Sequence, residues 1–294
     1  MTRANFALQP NSMPVSIAYS IVDTVRKLSG ISVDPENAGF LELRINRRVR
    51  ELGLPNLAQY LAILNGPTGQ SEANHLVEML ATHTTDFFRE PAHYRFLEQT
   101  GLPTLVESGA GKEWPLTVWS AACSLGSELW SAAMVIDQNS HSVLGGLRWS
   151  LQGTDISRRI LRRAESGIFS ADEISGIPEP MRQKYLLRGG ANLRTKTGQN
   201  LFRIDPKLRQ KAQFQWANLV APTAPINITA DVIFLRNVLI YFETADQQAA
   251  VATVLRGLRL GGYLFIGHSE QIGPLPQGMT QVAPAVFRKG SENV

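Results

Sequence analysis

The 294-residue sequence lacks most of the features of a secreted or membrane-bound protein. It has one cysteine, Cys123, which excludes an intramolecular disulfide framework and any metal site built from several thiolates. No apolar run approaches the ~20 residues of a membrane-spanning helix. The first residues, MTRANFALQPNSMP, form no continuous hydrophobic signal core. We therefore expect a cytoplasmic protein that does not insert into a membrane.

Charge is also scarce, and its signs are nearly balanced: 18% of the residues are charged and the net charge is +4. Together with 44% hydrophobic residues, this composition is typical of a globular protein. The length is about twice that of an average domain, which predicts one large domain or two. The positive charge is concentrated between residues 158 and 211, where thirteen basic residues stand against five acidic ones. Such a surplus would suit an anionic partner.

The first eighty residues carry the pattern of a small helical domain. Apolar residues at three-and-four spacing are typical of amphipathic helices. Four helices are predicted: over 17–28, from Asp34-Pro35-Glu36 to about Leu52, over 55–64, and from about His75. In the second of these, the aspartate can cap free amides and the proline suits the first turn.

After Trp114-Pro115, short apolar strands alternate with helices. The predicted strands are 116–122, 149–153, 232–235, 263–267 and 285–288, and the predicted helices are 128–137, 157–166 and 244–258. This order predicts an α/β fold with a parallel-type sheet between two layers of helices, whose ligand lies beyond the carboxyl ends of the strands. A turn-rich stretch at about 187–215 predicts an insertion of two or three antiparallel strands.

Polar residues follow the ends of these strands. The loop that carries Gly126 leads from the first strand into a helix, whose free amides and accessible backbone suit a ligand. Asp155 ends the second strand, where nucleotide-binding sheets place a carboxylate on ribose hydroxyls. A single glycine favours a nucleoside over a dinucleotide with its pyrophosphate. Arg236 and Asn237 end a buried strand, where polar groups are costly unless they are paired, and we expect them to meet a ligand.

Three other features leave an ordinary structural explanation open. The segment 84–90 carries Arg89 beside two aromatic residues and could be a packed linker. His268 follows a strand-like run, where structural hydrogen bonds are the simpler explanation. Cys123 is better explained as a packed residue than as a nucleophile. We predict no metal site.

Five motifs follow one another along the chain. They are Thr-x-Phe-Phe-Arg from Thr85, Trp-Ser-Ala-Ala-Cys-Ser-x-Gly-x-Glu from Trp119, Thr-Asp-Ile from Thr154, Arg-Asn-Val-x-Ile-Tyr-Phe from Arg236 and Gly-Gly-Tyr-Leu-Phe-x-Gly-His-Ser-Glu from Gly261. In this order and spacing they resemble the CheR-type chemotaxis receptor methyltransferases, from about residue 17 to residue 288. The resemblance implies an all-α N-terminal domain, residues 1–83. It also implies a Rossmann-like S-adenosylmethionine domain, residues 84–294, with a small antiparallel β-subdomain at about 187–215.

The resemblance also implies a set of site residues. Those expected to line the cofactor pocket are His83, Thr85, Arg89, Glu128, Asp155, Asn218, Leu219, Arg236 and Asn237. Asp155 would hold the ribose hydroxyls, and Glu128 would meet the methionine amino group. Arg89 and Tyr241 would lie near the transferred methyl group. His83 stands where some members of the family have asparagine.

Two basic regions are implied to dock a receptor. They are the β-subdomain and the helix with Arg44, Arg47 and Arg48. The sequence departs from the family pattern at two places. The usual Gly-Glu-Glu-Pro-Tyr reads Gly-Ser-Glu-Leu-Trp over 126–130, and the usual second aspartate after Asp-Ile is Ser157. These departures could lower the affinity for the cofactor.

The implied reaction moves the methyl group of S-adenosylmethionine to glutamate side chains of chemoreceptor cytoplasmic helices, with S-adenosylhomocysteine as the product. A glutamate carboxylate is already ionised at neutral pH and needs no general base. We expect a monomer that is recruited from the cytoplasm to receptor arrays. Two alternatives stay open, a small-molecule carboxyl methyltransferase and a non-catalytic module that binds the cofactor or its product. Nucleic acid is not expected as a partner, because the basic residues lack interleaved aromatic residues.

Overall fold

The computed structural model describes residues 13–32, 38–142, 146–190 and 194–290. The chain divides into two compact units, Met1–Ala81 and Thr82–Val294. The division falls two residues before the expected boundary at residue 83. Within the described part of the chain, no helix has the length and apolar character that crossing a membrane requires.

The N-terminal unit is helical, in the order that the sequence predicts. Its helices are α1 (Val15–Ser29), α2 (Ala38–Glu51), α3 (Leu57–Leu64) and α4 (Gly69–Leu80). Gly30 ends α1 in a left-handed conformation, with φ 74°. The Asn56 side chain caps α3 by accepting a hydrogen bond from the backbone N–H of Gln59 at 3.0 Å. The predicted start of the second helix, at 34–36, lies outside the described residues.

The core of this unit is formed by the apolar helix faces that the spacing predicts. Fully buried residues include Ile21 and Val25 of α1, Leu41 and Ile45 of α2, and Leu76 of α4. Burial of one such side chain contributes about 1.5–3 kcal/mol. The unit therefore has a hydrophobic core of its own.

The described part of the second unit contains ten strands and seven helices. The strands are β1 (Leu116–Ala121), β2 (Trp149–Asp155), β3 (Ile168–Ser170), β4 (Leu186–Arg188), β5 (Leu201–Ile204), β6 (Ala212–Trp216), β7 (Ala230–Leu235), β8 (Leu258–Ile266), β9 (Met279–Ala283) and β10 (Val286–Lys289). The helices are α5 (Pro91–Phe96), α6 (Leu102–Glu107), α7 (Ser127–Ser142), α8 (Arg158–Ser166), α9 (Glu179–Tyr185), α10 (Pro206–Arg209) and α11 (Thr244–Gly257), and a π-helical turn, Leu97–Gly101, joins α5 to α6.

The main sheet has seven strands in the order β6-β2-β1-β7-β8-β10-β9. The first five in this order run parallel, whereas β10 pairs antiparallel with β8 and β9. Neighbouring residues of β1 alternate between two apolar clusters, with Val118 in one and Trp119 in the other. Such alternation is expected of a strand that is covered on both faces. The predicted α/β class and the predicted order of strands and helices are confirmed.

A second, small sheet has three antiparallel strands in the order β3-β5-β4. It differs from the expected insertion at 187–215 at both ends. It begins earlier, because β3 follows Gly167, which ends α8 with φ 60° and turns the chain back. It also ends earlier, because β6 pairs in parallel with β2 and belongs to the main sheet. The alternating apolar and polar residues of β6 suit an edge strand of either sheet, so the sequence left this choice open.

Candidate active site

Three neighbouring strands end at one edge of the main sheet. Because β2, β1 and β7 lie side by side and run in the same direction, their last residues, Asp155, Ala121 and Leu235, share that edge. Parallel α/β sheets bind their ligands at this edge. The predicted site residues that end or follow these strands are therefore close together.

The loop between β1 and α7 turns sharply at this edge. Ala122, Ser124 and Gly126 have left-handed backbone, with φ of 63°, 51° and 83°. A Cβ atom at Gly126 would lie 3.0 Å from Nε1 of Trp130 and 3.1 Å from Cβ of Ala164, so a glycine is needed for this packing. The two non-glycine residues cost roughly 1–3 kcal/mol each in this conformation, a strain that is common in ligand-binding loops.

Asp155 holds this loop from the end of β2. Its Oδ2 accepts a hydrogen bond from the backbone N–H of Ser124 at 2.9 Å, and its Oδ1 accepts one from that of Ser157 at 2.9 Å. Burial raises the pKa of Asp155, although these N–H groups and the nearby His83 oppose the shift. Because a carboxylate has about four acceptor sites, Asp155 can accept further hydrogen bonds from ligand hydroxyls.

Glu128 lies in the first turn of α7 and is held by two polar groups. Its Oε1 accepts a hydrogen bond from the Ser120 hydroxyl at 2.6 Å, and its Oε2 accepts one from Nη1 of Arg236 at 3.1 Å. Burial raises the pKa of Glu128, and the neighbouring carboxylates of Glu90 and Glu270 add to the rise, while Arg236 and Ser120 oppose it. The site thus keeps a buried carboxylate whose charge is only partly compensated.

Arg236 joins the strand edge to the segment that carries Arg89. Its guanidinium, 1% exposed, forms a salt bridge with Glu90 at 3.1 Å and donates a hydrogen bond to the backbone carbonyl of Arg89. The backbone N–H of Phe88 donates to the Ser131 hydroxyl of α7 at 3.0 Å. These contacts make 84–90 part of the site and not a mere packed linker. The half-buried Arg89 guanidinium has no hydrogen bond or ion pair within the described part of the chain.

Glu270 is a structural residue of the site that sequence reasoning missed. Its carboxylate accepts hydrogen bonds from four backbone N–H groups, those of Gly267 at 2.7 Å, Asn237 at 2.8 Å, Leu239 at 2.7 Å and Ile240 at 3.3 Å. It therefore fixes the loops that follow β7 and β8, including Asn237 with its left-handed φ of 55°. A carboxylate three residues after a strand-ending glycine was the signal that could have revealed it.

The other predicted pocket residues lie in the same unit and have fewer contacts with the residues described above. The Ser124 hydroxyl donates to the backbone carbonyl of His83 at 2.8 Å, which ties that residue to the loop after β1. Asn218 uses its side-chain oxygen to accept from the N–H groups of Val220 at 3.0 Å and Ala221 at 3.1 Å, and so shapes a turn. Leu219 is buried, and Thr85 and Tyr241 are half-buried. No described contact joins Thr85 or Tyr241 to Glu128 or Asp155.

Cys123 and His268 also have defined positions. Burial raises the pKa of the Cys123 thiol well above its ordinary value, which leaves the thiol uncharged. The backbone N–H of His268 donates to Oε1 of Glu90 at 3.3 Å, while the imidazole is 47% exposed.

Two of the three predicted docking arginines point to partners inside the N-terminal unit. Arg48 forms two hydrogen bonds with the Glu72 carboxylate, at 2.9 and 2.7 Å, and Arg44 donates to the backbone carbonyl of Met79. Arg47 is 75% exposed and pairs with Glu51 at 2.8 Å. On the same helix Arg50 is also exposed, so Arg47 and Arg50 are the arginines of α2 that a partner can reach.

The charge at the strand edge suits a cationic nucleoside. The carboxylates of Glu90 and Glu270 act on that of Glu128 there, and one guanidinium, that of Arg236, pairs with both Glu90 and Glu128. S-adenosylmethionine carries a sulfonium and an ammonium group, which such a surplus of negative charge would stabilise. Its ribose hydroxyls match the remaining acceptor capacity of Asp155. The residues present therefore fit this cofactor.

Comparison with known proteins agrees with this geometry. Residues 83–286 match the family described as "CheR methyltransferase, SAM binding domain", and residues 20–81 match "CheR methyltransferase, all-alpha domain". A "Chemotaxis protein methyltransferase" of Borreliella burgdorferi is 29% identical over 261 residues, which cover 88% of this chain and 89% of that protein. Proteins of the same name from Escherichia coli (strain K12) and Klebsiella aerogenes are 30% and 31% identical. Their alignments cover 91% and 90% of this chain, and 88% and 86% of those proteins.

Proposed function

The chain belongs to the CheR methyltransferase family and is an S-adenosylmethionine-dependent methyltransferase of chemotaxis, and we propose that it methylates glutamate side chains of chemoreceptor cytoplasmic helices. The observation that carries this choice of acceptor is the half-buried Arg89. Its guanidinium lies in the segment that Arg236 attaches to the strand edge, and it has no hydrogen bond or ion pair within the described residues. A guanidinium of this kind can receive a carboxylate of the substrate.

The residues of the site divide into cofactor binding and acceptor orientation. We assign the ribose hydroxyls to Asp155 and the methionine amino group to Glu128. When bound, S-adenosylmethionine supplies an electrophilic methyl group, which an acceptor carboxylate oxygen takes up while S-adenosylhomocysteine is released. The remaining pocket residues, His83, Thr85, Asn218, Leu219, Arg236 and Asn237, would surround the cofactor.

Acceptor orientation is the main demand on the protein. With an ordinary pKa of about 4.3, the acceptor glutamate is ionised at neutral pH, so no residue has to remove a proton from it. Alignment of two reactants can contribute on the order of 7–11 kcal/mol to lowering a barrier. We assign this alignment to Arg89, with Tyr241 beside the transferred methyl group. An ion pair that is too tight would weaken the nucleophile, so Arg89 serves to orient.

Two basic surfaces support a long acidic partner over a small molecule. In the N-terminal unit, Arg47 and Arg50 are exposed on α2. In the second unit, α8 exposes Arg158, Arg159, Arg162 and Arg163 next to the small sheet. A small carboxylic acid would need neither surface. We further propose that the protein acts as a cytoplasmic monomer recruited to receptor arrays.

The test is transfer of labelled methyl groups from S-adenosylmethionine to receptor cytoplasmic fragments, beside a panel of small carboxylic acids. We expect base-labile esters on receptor glutamates, and at least a tenfold lower turnover with Arg89→Ala. Turnover of that variant within about twofold of the wild type would refute the role of Arg89. Methylation of small acids alone would favour a small-molecule enzyme. Tight binding of S-adenosylhomocysteine with no transfer to any acceptor would favour a non-catalytic module.

A further inference from the structure

Glu90, His93 and His268 converge on one side of Arg236. One atom capable of binding a metal from each residue lies within 4.8 Å of the other two. Nδ1 of His93 is 3.4 Å from Oε2 of Glu90, and Nε2 of His268 is 4.0 Å from the same oxygen. Glu90 and His93 lie at the start of α5, whereas His268 lies in the loop after β8. The fold therefore brings two distant segments together at a cluster of two imidazoles and one carboxylate.

His93 has an unresolved conflict inside this cluster. The side chain is 1% exposed, and neither ring nitrogen has a hydrogen-bond partner of good geometry among the described residues. The polar groups near the ring include two acceptors, the Glu90 carboxylate and the Pro284 backbone, beside the imidazole of His268. A neutral imidazole holds a single proton, on one of its two nitrogens. Whichever nitrogen holds that proton, the other presents a lone pair to an acceptor.

A cation at Nδ1 would remove this conflict. The proton could then stay on Nε2 and point to the backbone, which is the usual outer-shell arrangement of a metal-bound histidine. The surroundings favour a cation, because two carboxylates, those of Glu90 and Glu128, share the single guanidinium of Arg236.

Glu90 has acceptor capacity left for such an ion. Its Oε2 is shared with Arg236 at 3.1 Å, and its Oε1 accepts two long hydrogen bonds, at 3.3 Å from the N–H of His268 and at 3.4 Å from the side chain of Asn237. A carboxylate can bridge a guanidinium and a metal ion, since its two oxygens offer about four acceptor sites.

We propose that Glu90, His93 and His268 bind one divalent metal ion such as Zn²⁺. Two imidazoles and a carboxylate form a ligand set that zinc uses, with an open fourth position. Zinc bonds of about 2.0–2.2 Å place neighbouring ligand atoms roughly 3.4 Å apart. The distance between His93 and Glu90 is already 3.4 Å. His268, with its 47% exposed side chain, can rotate to shorten its 4.0 Å distance to Glu90.

The test measures metal binding directly, by titration of the metal-free full-length protein with Zn²⁺ in a calorimeter. Co²⁺ serves as a second probe, because its visible absorption reports tetrahedral nitrogen and oxygen ligands. We expect one bound ion per chain. His268→Ala should weaken the binding of both ions at least tenfold, because it removes one of three ligands. Since His268 is half-exposed, this variant is expected to fold, which far-ultraviolet circular dichroism checks.

His75→Ala is the matched control, since His75 is an exposed histidine of the N-terminal unit outside the cluster. It should bind both ions as the wild type does. No bound Zn²⁺ above nonspecific levels, or equal binding by the wild type and His268→Ala, would overturn the proposal. These readouts do not depend on methyl transfer, so a failure here is distinct from a failure of the proposed function.

Discussion

The two units of the chain treat their buried carboxylates in opposite ways. In the N-terminal unit, burial alone would raise the pKa of Glu72, but two hydrogen bonds and the charge of Arg48, together with the Tyr60 hydroxyl, lower it. In the second unit, burial raises the pKa of both Glu128 and Asp155 despite their hydrogen bonds. The first unit therefore matches the charge of Glu72 internally, whereas the second leaves part of the charge of Glu128 and Asp155 to be matched by a ligand. Buried charge without a full partner is a common mark of a functional site.

Among the variants that test this comparison, Asp155→Asn should have the largest effect. The variant keeps the shape of the side chain but removes its charge and one acceptor. We expect the dissociation constant for S-adenosylmethionine to rise at least hundredfold, equivalent to about 2.8 kcal/mol. The free energy of unfolding should change by less than about 1.5 kcal/mol, because loss of the buried charge offsets the lost hydrogen bond. Calorimetric titration and urea unfolding measure the two quantities.

Glu113→Gln provides the matched control, since Glu113 is an exposed carboxylate that precedes β1, at the opposite end of that strand from the site. It should change neither quantity. Equal affinity of the wild type and Asp155→Asn would contradict the assignment of Asp155 to the ribose.

Glu72→Gln should lower the stability of the N-terminal unit and leave cofactor affinity nearly unchanged. It leaves Arg48, which is 17% exposed, with a neutral partner. We expect a loss of about 2 kcal/mol in the stability of this unit, less than for a fully buried pair. Cofactor affinity should stay within about twofold of the wild type. Hydrogen exchange of the α2 and α4 amides in the full chain measures the loss. Glu51→Gln, which affects the exposed pair with Arg47, should cost under about 0.5 kcal/mol.

A smaller effect is expected from reversal of charge on the exposed face of α2. Arg47→Glu combined with Arg50→Glu should raise the KM for a receptor fragment about fivefold at low salt, with the difference shrinking as salt is added. Cofactor affinity should not change. Lys112→Glu, an exposed charge reversal in the second unit, is the control and should leave the KM unchanged. An unchanged KM after reversal of both charges would show that α2 is not part of the docking surface.

The smallest expected effect is the opposite response of Glu72 and Glu128 to mild acid. The pKa of Glu72 is lowered, so its contribution is present above its ordinary value of 4.5 and is lost as the pH falls through the folded pKa. The pKa of Glu128 is raised, so this residue adds stability to the second unit as the pH falls from that folded pKa toward 4.5, whereas the lowered pKa of His93 removes stability from the same unit over this range. Each change should stay below about 1.5 kcal/mol.

The two responses can be measured in one sample. All five tryptophans lie in the second unit, so tryptophan fluorescence during urea unfolding reports that unit alone. Hydrogen exchange of α2 amides reports the first. Glu128→Gln, measured beside the wild type, removes the contribution of Glu128 and leaves that of His93. A wild type that gains no stability over this variant as the pH falls toward 4.5 would contradict the comparison.

The sequence predicted what depends on periodicity and strand order. The apolar spacing of α1 and the buried runs of β1 and β7 are local signals, and Asp155 and Arg236 could be placed because strand ends of a parallel sheet share an edge. The β3 strand could not be predicted, because three residues carry too little pattern.

Partners distant in sequence were also beyond prediction. Arg48 has the helical spacing of an exposed docking residue, and its actual partner, Glu72, lies 24 residues away. Likewise, strands β1 to β8 lie between His93 and His268 in sequence, so their meeting at Glu90 depends on the fold. The docking surface and the candidate metal cluster are therefore properties of the tertiary structure.

Glu270 has a consequence for motion. Its carboxylate accepts hydrogen bonds from N–H groups of the loop after β7 and of the loop after β8, so neither loop can move outward alone without breaking the hydrogen bonds that join the two. Loops joined in this way open as one cooperative unit, at the rate of the loop that opens less often. Entry of the cofactor and release of its product would then require both loops to move together, with Asn237 and Gly267 held in one unit by Glu270.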